Sequence, residues 1–217
     1  ILNKRASVMN SLPNLLCKMV EFLQKQSLIL SKNSRDGRIN SAFNEDEIFN
    51  LLHAHFRINR PNMRDWFDFS FEESENFYPV NIKITNLSTD NLNCKLGIYY
   101  ALTGKLPHFD NEIRWANFFS TIKENLAENS QDYYFLIINK NDTKDIFATS
   151  LKYLNELTPN GNNLPFQANW AKNRILVHRD FFTSQSLYFR HYGAVFCIIR
   201  ARAYDEFVSN FPEFKVN

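Results

Sequence analysis

Asp65-Trp66-Phe67-Asp68-Phe69-Ser70-Phe71-Glu72-Glu73-Ser74-Glu75-Asn76-Phe77-Tyr78-Pro79-Val80-Asn81-Ile82-Lys83-Ile84-Thr85 decides the fold. Residues 66–72 are aromatic and alternating, and residues 77–85 are β-branched and alternating. The polar Glu73-Ser74-Glu75-Asn76 between them reads as a short turn. The stretch therefore predicts a β-hairpin. With Ser74-Glu75 as a two-residue loop, Asp68 falls directly across from Asn81, and directly opposed side chains share a face. The strand period of two carries Lys83 to that face and sends Asp65 to the other, with Phe67, Phe69 and Phe71. Asp68, Asn81 and Lys83 are thus expected to converge. A carboxylate and an amide oxygen can hold a hard cation such as Mg²⁺, which activates water and neutralises charge on a phosphoryl group in flight. The lysine can orient or help deprotonate that water, or stabilise the developing charge. Asx-x-Lys at a strand end is also common, and most such lysines are solvated edge residues that discourage aggregation.

Working outward, Leu12 to Leu30 carries Leu12, Leu15, Leu16, Met19, Phe22 and Leu23 at helical spacing, and Ser34 to Asn40, with Gly37 among charges, breaks that helix. Glu45 to Phe56 reads as a second helix with Asn44 as N-cap and Glu47 in the capping-box place. Glu45 then lies on the face of Ile48, Phe49 and Leu52, aimed at the sheet, so Glu45 rather than Glu47 is the candidate metal-shell or water-orienting acid. A favourable charge on the first turn of the helix is the structural role open to Glu45. Asp90 to Thr103 reads as a helix stopped by Gly104 and Pro107, and Trp115 to Leu126 as another. Tyr133 to Asn139 is a continuous apolar run, short enough for a fully buried strand. Asp145 to Leu154 reads as a strand running into a helix. This order predicts an α/β fold with a mixed β-sheet flanked by helices.

The hairpin resembles the core of the PD-(D/E)xK nuclease superfamily, in particular small type II restriction endonucleases with an Asn-x-Lys variant of the second motif. Asn44-Glu45-Asp46-Glu47-Ile48-Phe49-Asn50-Leu51-Leu52 is similar to that family's first helix. Asp65 or Asp68 followed by Asn81-x-Lys83 resembles its catalytic hairpin, and residues 90–104 resemble the helix that follows. The likeness spans about residues 40–140. It lacks a Pro-Asp dipeptide, and Asn81 stands where Asp or Glu is usual. The resemblance implies a restriction-endonuclease-like core and a Mg²⁺-dependent, sequence-specific cleavage of double-stranded DNA. Asp68, Asn81, Lys83 and Glu45 would be the catalytic set, with Asp68 and Asn81 on the metal. A repair or mobile-element nuclease of the same fold and a catalytically silent DNA-binding module are the alternatives.

The chain's 217 residues, 44% hydrophobic with 21 Phe, suit one domain spanning 1–217 with a sizeable core. Net charge is only +2, but its distribution is uneven. Residues 1–38 carry seven Lys/Arg against two acids, residues 45–75 eight acids against three Arg, and residues 165–203 six Lys/Arg against one acid. An acidic centre suits metal binding, and basic flanks can neutralise phosphates. Each charge run alone is an ordinary solvated face. A DNA-recognition part is expected at about 155–203. Asn160, Asn162, Asn163 and Gln167 in the Pro159-to-Gln167 loop could pair with adenine edges, and Lys172, Arg174 and Arg179 could hold phosphates. Cys17, Cys94 and Cys197 lack zinc spacing and read as core thiols of a protein from a reducing, prokaryotic cytoplasm. No apolar run is long enough to span a bilayer, so no membrane partner is expected. A monomer or a homodimer would both suit this size, and a dimer would imply a palindromic site. Phosphate-loop, Gly-x-Ser-x-Gly, His-Glu-x-x-His and Cys-x-x-Cys motifs are missing from the sequence.

Overall fold

A two-residue turn sets the register of the hairpin. In the computed structural model Ser74 and Glu75 both take positive φ, 51° and 64°. That is the geometry of a type I′ turn, whose twist matches that of the strands it joins. The structure describes residues 12–30, 37–62, 65–92, 94–109, 114–159, 166–180, 182–190 and 201–215, with backbone alone at 37–43, 159 and 201–203. Strand β1 (Phe69–Glu73) pairs antiparallel with β2 (Asn76–Thr85) from Phe69↔Val80 to Glu73↔Asn76. This is the register expected of a Ser74-Glu75 loop. Pro79 is tolerated within β2 because it faces Ser70, whose N–H and C=O turn outward to Asn59 at 3.0 and 2.7 Å. On the other side of β2, pairing begins only at Val80, so no ladder bond needs a proline N–H.

The chain divides into two compact units that alternate along the sequence. The first runs to Ser88 and resumes over Tyr133–Ser150, and the second comprises Thr89–Asp132 and the chain from Leu151 onward. In the first, β2 continues parallel to β4 (Tyr134–Asn139), which pairs antiparallel with β5 (Ile146–Ser150). The sheet order is β1-β2-β4-β5, a mixed sheet. Helices α1 (Asn14–Lys25) and α2 (Gly37–His53) cover one face. Leu16, Met19 and Leu23 of α1 and Ile48, Phe49 and Leu52 of α2 pack on Phe69, Phe71, Val80, Ile82, Leu136 and Ile138. Each such fully buried side chain stabilises the fold by about 1.5–3 kcal/mol. The Gln24 side chain of α1 also donates to Ile146 O on the edge strand at 2.8 Å. Strand β4 is buried from Tyr134 to Ile138, as its unbroken apolar run requires.

The second unit holds a small antiparallel sheet of order β3-β7-β6, made of β3 (Thr89–Leu92), β6 (Thr158–Pro159) and β7 (Phe166–Asn169). Its helices are α3 (Lys95–Thr103), α4 (Trp115–Asn125), α5 (182–190) and α6 (Ala201–Asn210). Phenylalanines bind them together. Phe119 of α4 meets Phe207 of α6 at 5.4 Å edge-on, and Phe189 of α5 lies 4.3 Å from Phe211. Gly104 ends α3 in the left-handed region, φ 67°, where a Cβ would lie 3.2 Å from Asn129 Cγ. No described helix is long and apolar enough to cross a membrane.

Four expectations change. Residues 89–92 are a strand rather than the start of a helix, because they pair with Phe166–Asn169, a partner more than seventy residues away that local periodicity does not register. Helix α2 already runs from Gly37, so Asn44 is a buried interior residue and Glu47 closes no capping box. By the same change Glu45 sits mid-helix, beyond the first-turn dipole. Helix α1 is shorter than its apolar stripe and begins after Pro13. Of the cysteines, Cys94 is buried, Cys17 is exposed, and Cys197 lies outside the described residues.

The turn is the fold's cheapest point of test. Two non-glycine residues at positive φ each cost of the order of 1 kcal/mol. Replacing Ser74-Glu75 with Asn-Gly should therefore raise the unfolding free energy by about 1 kcal/mol in urea titrations, with an unchanged denaturant slope. A loss of stability would mean a different turn and a different register.

Candidate active site at the end of the first hairpin strand

Strand β1 stops at Phe69, and β2 does not. The N–H groups of Tyr78 and Val80 face β1, so by strand period that of Ile82 points to the same side, where β1 has ended. Its partner is a side chain: Asp68 Oδ2 accepts the Ile82 N–H at 2.6 Å, while Asp68 N–H donates to Val80 O at 2.9 Å. The carboxylate thus stands in for a missing strand and sits in the plane of the sheet, level with Ile82. Tyr133 anchors the approach to it, its hydroxyl donating to Trp66 O at 2.7 Å and its ring stacked on Trp66 at 5.6 Å.

Asp68 opens into a cleft of about 660 Å³ between α2 and the segment leading into β1. Glu45, Asp46 and Phe49 line it from α2, Arg60, Pro61 and Asn62 from the loop after that helix, and Asp65, Phe67, Asp68 and Ile82 from the hairpin. The loop is held in place by the bridge between Asn59 and Ser70. Burial pushes the Asp68 carboxyl above its ordinary value, an effect opposed by the Ile82 N–H and then by the positive charge of Lys83.

The sequence-derived site residues separate into two groups. Glu45 and Asp68 meet in the cleft, and Glu47 is exposed outside its lining. Asn81 and Lys83 project from the sheet face opposite α1 and α2 and are not among the cleft's lining residues, although the charge of Lys83 is felt at Asp68. The Asn81 Oδ1 is closed off from solvent and has no hydrogen-bond partner. An orphaned buried amide oxygen of this kind is one that a cation or a water would satisfy. Asp65 lines this cleft together with Phe67, in the company expected of it; the place that changes is that of Asp68, which was expected on the face of Asn81 and Lys83. Residues 65–68 precede the strand, so strand parity does not govern them. One Asp65 oxygen is taken by Trp66 N–H at 2.9 Å.

Arg60 and Asp46 were not anticipated from the sequence. They join at 2.7 Å. The charge-rich run from residue 45 to 75 contained both, but nothing local in it specifies that the loop at 57–62 returns alongside β1.

The expected DNA-contacting residues belong to the second unit or lie beyond description. Asn160, Asn162 and Asn163 are outside the described residues. Gln167 spends its amide on Asn91 Oδ1 at 3.2 Å across the β3–β7 pair, and Lys172 is paired with Glu156 at 2.6 Å. Arg174 is exposed. Arg179 donates to the carbonyls of Lys152, Val177 and Asn155 at 3.3 to 3.5 Å, and also lines a second cleft of about 420 Å³ with Arg190, Thr183 and Ser186.

Among the described residues no three of His, Cys, Asp and Glu are grouped closely enough to hold a metal ion by themselves. A magnesium ion does not require such a cage, since it binds through one or two carboxylates and completes its shell with water and substrate phosphate. Asp68 with Glu45 in the cleft fits that more open mode, and the unpartnered Asn81 Oδ1 is a further oxygen donor that projects from the other face of the sheet. Compared with known proteins, the chain matches no family model and no curated protein.

The raised Asp68 carboxyl has a sign that can be measured. A carboxyl that is harder to ionise in the folded state binds more protons there than when unfolded, so its contribution to stability falls as pH rises from the ordinary value through the raised one. Without divalent cations, Asp68→Asn keeps an acceptor for Ile82 N–H and removes the charge. It should melt above wild type at pH 7, with the difference vanishing towards pH 3. A variant less stable than wild type at pH 7 would contradict the burial argument.

Proposed function

We propose that the protein is a Mg²⁺-dependent endonuclease of the type II restriction kind, hydrolysing phosphodiester bonds in double-stranded DNA at a specific sequence. The observation that carries the reading is the Asp68 carboxylate at the β1 end, in one cleft with Glu45 and within the field of Lys83, with the orphaned Asn81 oxygen on the neighbouring strand β2. Further support comes from the order of elements, a helix bearing an acid, then an antiparallel hairpin, then a strand parallel to its second member. Asp68 and Asn81 would hold the metal, with Glu45 in its outer shell. When bound, Mg²⁺ would supply an activated water and neutralise charge on the phosphoryl group.

The protein's own residues divide the remaining work. Lys83, on the strand that carries Asn81, orients the attacking water or takes its proton, and stabilises the charge that develops on the phosphoryl oxygens. Glu45 orients water from the α2 side. Asp68 is held in place by Ile82 N–H, so one carboxylate oxygen is fixed by the backbone and the other is left for a ligand. Sequence recognition would fall to the second unit, through the 159–167 loop with Lys172, Arg174 and Arg179.

A catalytically silent DNA-binding module is the second reading. It is favoured by the amide at position 81, which offers a cation no negative charge.

Incubation with supercoiled plasmid and Mg²⁺ separates these readings. Discrete fragments are expected, whereas a smear would indicate a nonspecific nuclease and binding without cutting a silent module. Lys83→Ala should slow cleavage by about 10²-fold or more and shift unfolding free energy by no more than about 0.5 kcal/mol. Asn81→Asp restores a negative charge at nearly constant size, so it should keep some cleavage and lower the Mg²⁺ concentration needed for half-maximal rate. If Asn81→Asp is inactive while Asn81→Ala cuts normally, Asn81 is not a ligand.

A further inference from the structure

We infer that Arg60 grips a backbone phosphate of the DNA strand entering the cleft, with Asp46 as its positioning residue; this rests on the nuclease reading above. The cleft has an electrostatic problem. Glu45, Asp46, Asp65 and Asp68 face it, a phosphodiester is itself an anion, and among the described residues lining it Arg60 is the only cation.

The guanidinium is oriented before any ligand arrives. Its carbon lies 4.1 Å from the centre of the Phe49 ring, so the plane is supported by an aromatic face. One terminal nitrogen donates to Asp46 Oδ1 at 2.7 Å and the other to Asn50 Oδ1 at 3.4 Å. These use two of the five N–H donors and leave three, in a planar fork that matches two phosphate oxygens. Arg60 is held against α2, the helix that also supplies Glu45, so the phosphate grip and Glu45 share one rigid support. A merely structural role is a weak explanation for this pair. Its side chains are 48% and 63% exposed, and ion pairs that open to water contribute little to folding.

The test is the affinity of a mixed-sequence DNA duplex for the whole protein, measured by fluorescence anisotropy with Ca²⁺ replacing Mg²⁺ across a salt series. Arg60→Ala should weaken binding roughly tenfold or more and reduce the slope of log affinity against log salt by about one, the mark of one lost phosphate contact. Arg60→Lys, which keeps the charge but not the fork, should keep the slope and lose part of the affinity. It also serves if the alanine variant does not fold. Asp46→Asn should weaken binding with the slope unchanged. Wild-type affinity and slope in both Arg60 variants would overturn the assignment and leave the nuclease reading standing. Failure of the wild type to bind the duplex at all would overturn both.

Discussion

The hydrogen bond from Ile82 N–H to the Asp68 carboxylate is the constraint on which the candidate site depends. A central strand must satisfy its backbone donors on both sides, and β1 ends one pair too early to do so for Ile82. Asp68 completes the ladder with a side chain. The consequence is that a carboxylate is drawn into the sheet plane, partly desolvated, level with Ile82 and within the field of Lys83. Elsewhere on the edge a backbone carbonyl would have been sufficient, and neutral. Here the fold places a charge where charge is unfavourable, and the carboxyl is correspondingly harder to ionise.

The site draws on elements of differing origin in the chain, all within the first unit. The hairpin contributes Asp68, Asn81 and Lys83, helix α2 contributes Glu45 and Asp46, and the loop after α2 contributes Arg60. Rigidity comes from the shared core, since Phe49 and Ile82 both belong to it and also line the cleft. A displacement of α2 relative to the sheet would carry Glu45 and Asp46 away from Asp68, so the packing of α2 on the sheet sets the distance between these acids.

Much of this arrangement was legible in the sequence, for identifiable reasons. The hairpin could be read because a two-residue loop flanked by alternating strands fixes register without reference to anything distant, and Phe69↔Val80 follows from Ser74-Glu75 alone. Strand β4 could be read because no loop or amphipathic helix is apolar from Tyr134 to Ile138. Strand β3 could not, because its partner β7 lies far along the chain. The beginning of α2 was obscured by a glycine that starts the helix instead of ending one, and the cleft's cation by a loop whose place depends on a single bridge to Ser70. Asp68 was misplaced by extending strand parity beyond the strand, because its carboxylate turns to Ile82 N–H and the cleft and not to the face of Asn81 and Lys83. Asp65 keeps the company of Phe67 that parity gave it.

The most direct measurement is Mn²⁺ binding followed by electron paramagnetic resonance, with a DNA duplex present, for the wild type and Asp68→Asn. The substitution preserves the acceptor for Ile82 N–H and removes only the charge. The expected result is a class of bound Mn²⁺ in the wild type that disappears, or weakens by at least about tenfold, in the variant. Equal Mn²⁺ binding by the two proteins would contradict the claim that this carboxylate serves both the sheet and a metal ion.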